Sequence, residues 1–152
     1  MTLPPCVLLD RDGVLNRDRP DYVATPAQWV WEEGALEALV ELRRAGIPVA
    51  VVTNQAGVGA GRMRREALEA VHERMRAEAE EAGARIDAVF LCPHTDSEGC
   101  SCRKPGPGLL ERAASHFGCS LSGVPFVGDA RRDLDAAMAA GRNSVGYELD
   151  SA

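Results

Sequence analysis

Short apolar runs that stop abruptly on polar residues recur along this chain, and helix-patterned stretches lie between them. That alternation leaves few folds open. Cys6 to Leu9, Pro48 to Val52, Ala88 to Leu91 and Pro125 to Val127 are each too short for a helix and bounded by turn or polar residues, so each is a buried strand. Ser144 to Tyr147 supplies a short fifth. Gly34 to Ala45 places Leu36, Leu39, Val40 and Leu42 at helical spacing, with Gly46 as its stop. Arg62 to Ala82 is a long amphipathic helix with Met63, Leu68, Val71 and Met75 on one side. Gly108 to Phe117 and Arg131 to Ala140 complete the helices. Strands alternating with helices predict an α/β fold, a Rossmann-like doubly wound parallel sheet covered on both faces. No repeat, linker or low-complexity tract divides the chain, so residues 1–152 are expected to form one domain. Arg17 to Glu33 is a long irregular connection, expected to lie over a functional site. The stretch Gly57-Val58-Gly59-Ala60-Gly61 reads as a glycine-rich turn.

The strand ends carry the chemistry. The first run ends on Asp10-Arg11-Asp12-Gly13 and the second on Thr53-Asn54. The third is followed by Arg103-Lys104-Pro105, and the fourth by Gly128-Asp129 with Asp133 just beyond. In a parallel sheet these ends share one edge, where open α/β sheets bind ligands. Two carboxylates as close as Asp10 and Asp12 repel each other and need a cation or a shared proton. Clustered carboxylates suit a hard cation such as Mg²⁺, and a hydroxyl and a lysine beside it suit a phosphoryl group. Taken alone, each piece is also an ordinary solvated turn; what distinguishes them is their order, each at a strand end.

Cys92-Pro93-His94 and Cys100-Ser101-Cys102 bring three thiols and an imidazole together, the ligand set of a closed Cys₃His zinc site. Four protein ligands leave no position for water, so the site reads as structural. It would pin the loop that leads into Arg103 and Lys104. The alternative is a set of reduced, unligated cysteines. Cys6 and Cys119 read as small apolar residues, and His72 and His116, both on helices, as packing or surface groups.

The ordered set Asp10-Arg11-Asp12-Gly13, Thr53-Asn54-Gln55, Arg103-Lys104-Pro105 and Gly128-Asp129 with Asp133 resembles the haloacid dehalogenase superfamily of phosphatases. The resemblance implies that fold, with a small zinc-binding loop and no large cap domain. It implies that Asp10 is the nucleophile and forms an aspartyl-phosphate. Asp12 would protonate the leaving oxygen and then activate water. Mg²⁺ would be held by Asp10, the backbone carbonyl of Asp12, and Asp129. Thr53 and the backbone at Asn54 would bind phosphoryl oxygens, and Lys104 would neutralise charge. Asp133 would anchor Lys104 or cap the helix after it. The zinc loop resembles the branch holding the heptose 1,7-bisphosphate and histidinol-phosphate phosphatases. The stretch Asp10 to Asn16 with Asp18 and Tyr22-Val23, and Thr53-Asn54-Gln55-Ala56-Gly57-Val58, look more like the heptose enzymes. There Asp18, Tyr22, Asn54, Gln55 and Arg103 would contact the sugar and its second phosphate. The family commonly has a basic residue where this chain has Ala130.

The expected activity is therefore Mg²⁺-dependent hydrolysis of a phosphomonoester, the 7-phosphate of a heptose 1,7-bisphosphate, with histidinol phosphate or another small sugar phosphate as the alternative substrate. A net charge of -6 argues against nucleic-acid or membrane-surface partners. No apolar run approaches the roughly 20 residues of a membrane span, and Met1-Thr2-Leu3-Pro4-Pro5 lacks a secretory pattern. The expectation is a cytoplasmic monomer. Two rival readings exist. Gly57-x-Gly59-x-Gly61 lacks the spacing of a dinucleotide fingerprint, and a zinc-stabilised binding module leaves Asp10, Asp12, Lys104 and Asp129 without a role.

Overall fold

The computed structural model describes residues 3–100, 102–128, 135–136 and 145–148. Five strands form one sheet: β1 (Val7–Leu9), β2 (Val49–Asn54), β3 (Ala88–Cys92), β4 (Pro125–Gly128) and β5 (Val145–Glu148). Their order is β3-β2-β1-β4-β5, and every pairing is parallel. The helices are α1 (Ala35–Arg44), α2 (Ala56–Gly59), α3 (Arg65–Glu81) and α4 (Gly108–Phe117). Asp135 and Ala136 are helical, and the rest of the helix expected over Arg131 to Ala140 lies outside the described residues, as do Ser144, Asp129, Ala130 and Asp133.

Strand side chains alternate between faces, and the buried residues follow that period of two. Leu8, Ala50, Val52 and Phe126 pack with Leu109, Leu110 and Ala113 of α4 on one face. Val7, Leu9, Val49 and Val51 pack with Leu39 of α1 and with Val71, Met75 and Ala79 of α3 on the other. The sheet is therefore covered on both sides, as near-continuous apolar strands require. Cys6 is buried in the first of these cores with Cys119 packed against it, matching the apolar reading of both.

β1 is central. Leu9 pairs with Val51 of β2 and with Val127 of β4. Strand order runs outward in opposite directions from β1 and β4, so the crevice between their carboxyl ends is the topological switch point where such sheets bind ligands. Asp10 opens onto that crevice, its backbone N–H donating to the carbonyl of Val127 at 2.9 Å.

Two expectations differ from what the chain does. The glycine-rich turn forms a short helix, α2, and the long helix begins at Arg65 rather than Arg62. The connection from Arg17 to Glu33 has order of its own. The Arg17 N–H donates to Val30 O and Glu32 N–H to Leu15 O, both at 2.8 Å, and Pro26–Gln28 forms a 3-10 turn. Trp31 Nε1 donates to Glu78 Oε1 at 2.9 Å and Arg74 donates to Pro26 O, so this connection is fastened to α3.

Candidate active site

Each strand end delivers its polar residues to one cleft. Asp10 follows β1 and is 2 % exposed; its Oδ1 accepts the backbone N–H of Arg11 at 2.7 Å and faces Lys104 Nζ at 3.1 Å. Lys104 is itself buried, donates from Nζ to Val52 O at 3.2 Å and lies 5.3 Å from the centre of the Phe126 ring. A buried ammonium requires this kind of pairing, since an uncompensated charge away from water is expensive. The backbone of Lys104 is held as firmly: its N–H donates to Asn54 Oδ1 at 3.0 Å, and Asn54 Nδ2 donates to its carbonyl at 3.2 Å. The side chain of Asn54, predicted to contact substrate, thus holds Lys104 in place at the end of β2.

Asp12 lies at the cleft, and both of its oxygens accept hydrogen bonds. Oδ1 takes Arg11 Nη2 at 2.7 Å and Asn16 Nδ2 at 3.0 Å, and Oδ2 takes Gln55 Nε2 at 3.0 Å. Burial alone would raise the Asp12 carboxyl, but the Arg11 guanidinium and the Asn16, Arg11 and Gln55 donors outweigh it and hold the carboxyl below its ordinary range. Gln55 is buried beneath the cleft, and its amide also donates to Thr53 Oγ1 at 3.0 Å, so it ties the hydroxyl of β2 to the second aspartate.

A cleft of about 320 Å³ opens above these groups, lined by Asp12, Asp18, Arg19, Tyr22, Asn54 and Arg103 among others. The predicted contacts Asp18, Tyr22 and Arg103 therefore meet Asp12 and Asn54 across one space. Tyr22 reaches it with a backbone φ of 66°, unusual for a residue with a Cβ. Its ring lies so close to α2 that a Cβ on Gly57 would come within 3.1 Å of it. Asp129, predicted as a metal ligand, lies outside the described residues; Gly128, immediately before it, ends β4 beside β1.

Sequence reasoning missed Arg11, Asn16 and Arg19. Arg11 has no role in the sequence reading beyond its place between two aspartates, yet it is wholly buried. Arg19 lies in the cleft wall and pairs with Asp21 at 3.1 Å. His72 is buried on α3, and its Nε2 lies 3.0 Å from Arg11 Nη1. Burial and the neighbouring guanidinium push the His72 ring down to about 3, so it is neutral. A signal for His72 was present: it shares the inward stripe of α3 with Leu68, Val71, Met75 and Ala79.

The cysteine loop lies beside the same cleft. Cys92 Sγ and His94 Nδ1 are 3.3 Å apart, Cys92 and Cys100 3.4 Å, His94 and Cys102 3.3 Å, and Cys102 and Cys100 3.6 Å. The four ligand atoms lie within 4.8 Å of one another, and no disulfide joins the thiols. Tetrahedral zinc with these ligands sets edges of roughly 3.5–3.8 Å; Cys92 and Cys102 stand closer, at 2.7 Å, so the set fits one such ion once these two thiols move apart. Asp10 and the Asp12 carbonyl are hard oxygen donors and fit Mg²⁺ in the same sense. The loop is joined to the cleft twice: Gln55 N–H donates to Cys92 O at 2.8 Å, and Arg103 Nη1 donates to His94 O at 3.2 Å.

Gly59 shows how tight this junction is. A Cβ there would lie 2.6 Å from Pro93 O and 2.7 Å from Glu98 Oε1. Glu98 can swing away, but Pro93 O is fixed by its hydrogen bond to Gly59 N–H at 2.8 Å. Gly59→Ala gains ~1 kcal/mol of helix propensity and loses ~1–3 kcal/mol to overpacking. A net fall in melting temperature of roughly 2–8 °C is expected by calorimetry; an unchanged or raised value would show that the loop yields freely.

Comparison with known proteins places this arrangement. A family model described as HAD-hydrolase-like matches residues 101–149. The D-glycero-beta-D-manno-heptose-1,7-bisphosphate 7-phosphatase of Pseudomonas putida is 45% identical over 139 residues, covering 91% of this chain and 79% of that one. The D-glycero-alpha-D-manno-heptose-1,7-bisphosphate 7-phosphatase of Mycobacterium tuberculosis is 41% identical over 134 residues, covering 87% and 70%. Among solved structures, the D,D-heptose 1,7-bisphosphate phosphatase of B. bronchiseptica, complexed with magnesium and phosphate, superposes with a TM-score of 0.91 at 39% identity, covering 95% of this chain and 80% of that one.

Proposed function

The chain belongs to the haloacid dehalogenase superfamily of phosphatases, and from that premise we propose that it removes the 7-phosphate of D-glycero-D-manno-heptose 1,7-bisphosphate. The observation that carries the chemistry is the buried pair of Asp10 Oδ1 and Lys104 Nζ at 3.1 Å, two residues from Asp12 at the mouth of the cleft.

Asp10 attacks phosphorus, and the bond between phosphorus and the ester oxygen breaks. Asp12, ionised beside Arg11 in the free site, takes up a proton as the negative charge of the phosphate approaches and gives it to that oxygen, so the sugar leaves as an alcohol and Asp10 carries an aspartyl-phosphate. In the second step Asp12 takes a proton from water, the water oxygen attacks phosphorus, and phosphate departs from a regenerated Asp10. Lys104 neutralises charge on Asp10 and the phosphoryl group throughout. Thr53 and the backbone at Asn54 orient the phosphoryl oxygens. Mg²⁺ would be held by Asp10, the Asp12 carbonyl and Asp129, and bound there it screens the anionic nucleophile from the anionic substrate. Cys92, His94, Cys100 and Cys102 would hold a structural zinc. Asp18, Tyr22, Gln55 and Arg103 complete the binding of the sugar and its second phosphate.

The same reading has residues 1–152 act as one domain, a monomer in the cytoplasm. The single parallel sheet supports the one-domain reading; among the described residues no helix is long and apolar enough to cross a membrane.

Phosphate release from heptose 1,7-bisphosphate and from histidinol phosphate distinguishes the substrates. The heptose is expected to give a kcat/KM higher by about 100-fold, since polar groups placed for one ligand are left unpaired by the other. A preference for histidinol phosphate would overturn the substrate, and no Mg²⁺-dependent release from any phosphomonoester would overturn the reaction.

A further inference from the structure

Arg11 contributes no group to the chemistry proposed above, yet it is wholly buried in the site. A guanidinium out of water must place its donors on acceptors, and Arg11 does so in three directions. Nη2 donates to Asp12 Oδ1 at 2.7 Å; Nε lies 3.2 Å from Asn16 Oδ1 and 3.3 Å from Asp12 Oδ1; Nη1 meets His72 Nε2 at 3.0 Å. The Trp29 ring lies 5.8 Å from its Cζ. An arginine has donors and no acceptor, so the contact with His72 fixes the imidazole: Nε2 is the lone pair, and any ring proton is on Nδ1. His72 is thus an acceptor built into the inward stripe of α3, sixty-one residues along the chain from the arginine it receives.

This arrangement has a direction. The backbone of Asp12 is bridged to Asn16, but its carboxyl can still turn about two side-chain bonds. Asn16 and Gln55 restrain it from the two sides, but both are neutral amides. Arg11 supplies the charged hydrogen bond, which is the stronger kind. Arg11 in turn stands on His72, which belongs to a long helix packed on the sheet. We propose that Arg11 and His72 are a pair of positioning residues for Asp12: the imidazole fixes the guanidinium, and the guanidinium aims the carboxyl at the leaving-group oxygen.

The proposal rests on Asp12 acting on the leaving group, and that dependence supplies its test. An alkoxide such as a sugar oxygen needs a proton as it departs; p-nitrophenolate does not. kcat/KM covers the steps up to departure of the leaving group, so the later activation of water by Asp12 does not enter it. A merely structural role for Arg11 or His72 would lower kcat/KM for both substrates together. Loss of aim at the leaving oxygen lowers it for the sugar phosphate alone.

The experiment measures kcat/KM for heptose 1,7-bisphosphate and for p-nitrophenyl phosphate in the wild type, Arg11→Met, His72→Leu and His72→Gln. General acid catalysis is worth about 10²–10⁴-fold, and misplacing the acid forfeits part of it. The aryl-to-sugar ratio is expected to rise at least about 10-fold in Arg11→Met and in His72→Leu. In His72→Gln, whose amide oxygen can accept from Arg11, it is expected to return to within about 2-fold of the wild type. Should Arg11→Met fail to fold, the two His72 variants decide the matter. A wild type active on both substrates, with the ratio unmoved in His72→Leu, overturns the positioning pair and leaves the phosphatase reading intact. A wild type that releases no phosphate from either overturns the reading beneath it, and the pair with it.

Discussion

Asp10→Asn is expected to lower kcat/KM for heptose 1,7-bisphosphate by at least about 10⁴-fold while the chain still folds. The amide has the shape of the carboxylate and keeps one acceptor. It can still receive the Arg11 N–H, now at 2.7 Å, and Lys104 Nζ, now at 3.1 Å. What it loses is the negative charge and the nucleophilic oxygen that form the acyl phosphate. Both side chains of the pair are buried, at 0% and 4% exposure, so the substitution also leaves Lys104 without its counter-charge. Breaking a buried ion pair outright costs ~3–5 kcal/mol, and the retained acceptor reduces that. Melting temperature should therefore fall by several degrees with far-UV circular dichroism unchanged at 25 °C. Phosphate release measured beside these two readings separates the outcomes. Turnover within about 10-fold of the wild type, in a folded variant, removes Asp10 from the nucleophile's place.

The place of Asp10 at the cleft was legible because a strand end and a carboxylate coincide in the sequence. A buried run can be read from composition, and a carboxylate where it stops must lie at the sheet edge. The same logic reached Thr53 and Lys104. α4 was read to its exact bounds, Gly108 to Phe117, because its apolar spacing is clean and Gly118 stops it. β2 extends through Asn54 rather than stopping at Val52, since Thr53 and Asn54 still pair with Leu91 and Cys92 of β3. Polar residues at a strand end look like a turn until the partner strand is known. α2 was hidden for a related reason: Gly57 and Gly59 weaken any helix pattern, and only the close approach of Tyr22 and Pro93 explains why both are glycine.

Arg11 marks the boundary of what sequence alone can reach. Arginine is rarely buried, and its pairing with the adjacent Asp12 would read the same on a solvated turn. Its burial depends on His72 and Trp29, which the fold brings from α3 and from the connection after Arg17. His72 had a periodicity signal but no chemical one until Arg11 met it. Long-range pairing of this kind is a property of the packed molecule, and the local pattern carries only half of each contact.

The zinc loop turns the same coupling into a second large effect. About one zinc per chain is expected by elemental analysis, and removing it by chelation, or by Cys100→Ser, should reduce activity by about 100-fold or more. The reason lies in what the loop carries. Cys92 ends β3 and is anchored by the sheet, but His94, Cys100 and Cys102 stand in a segment whose one regular element is the 3-10 turn Asp96–Glu98. Arg103 and Lys104 follow immediately, and Lys104 must keep its Nζ within 3.1 Å of Asp10. The Lys104 backbone would then keep its two hydrogen bonds to Asn54 but lose the pinned loop before it, and a displacement of about 1 Å at a catalytic group is enough for a 100-fold loss. Stability should respond less. In zinc-finger peptides metal binding supplies ~10–16 kcal/mol because nothing else folds them, whereas here the sheet carries two apolar cores, and although Cys92, Cys100 and Cys102 join or touch the first, the second contains no residue of the loop. Circular dichroism should therefore persist while trypsin gains access to the bond after Arg103. If the chelated protein keeps both its turnover and its resistance to trypsin, the loop holds Lys104 without metal, and Asn54 is the residue on which its position rests.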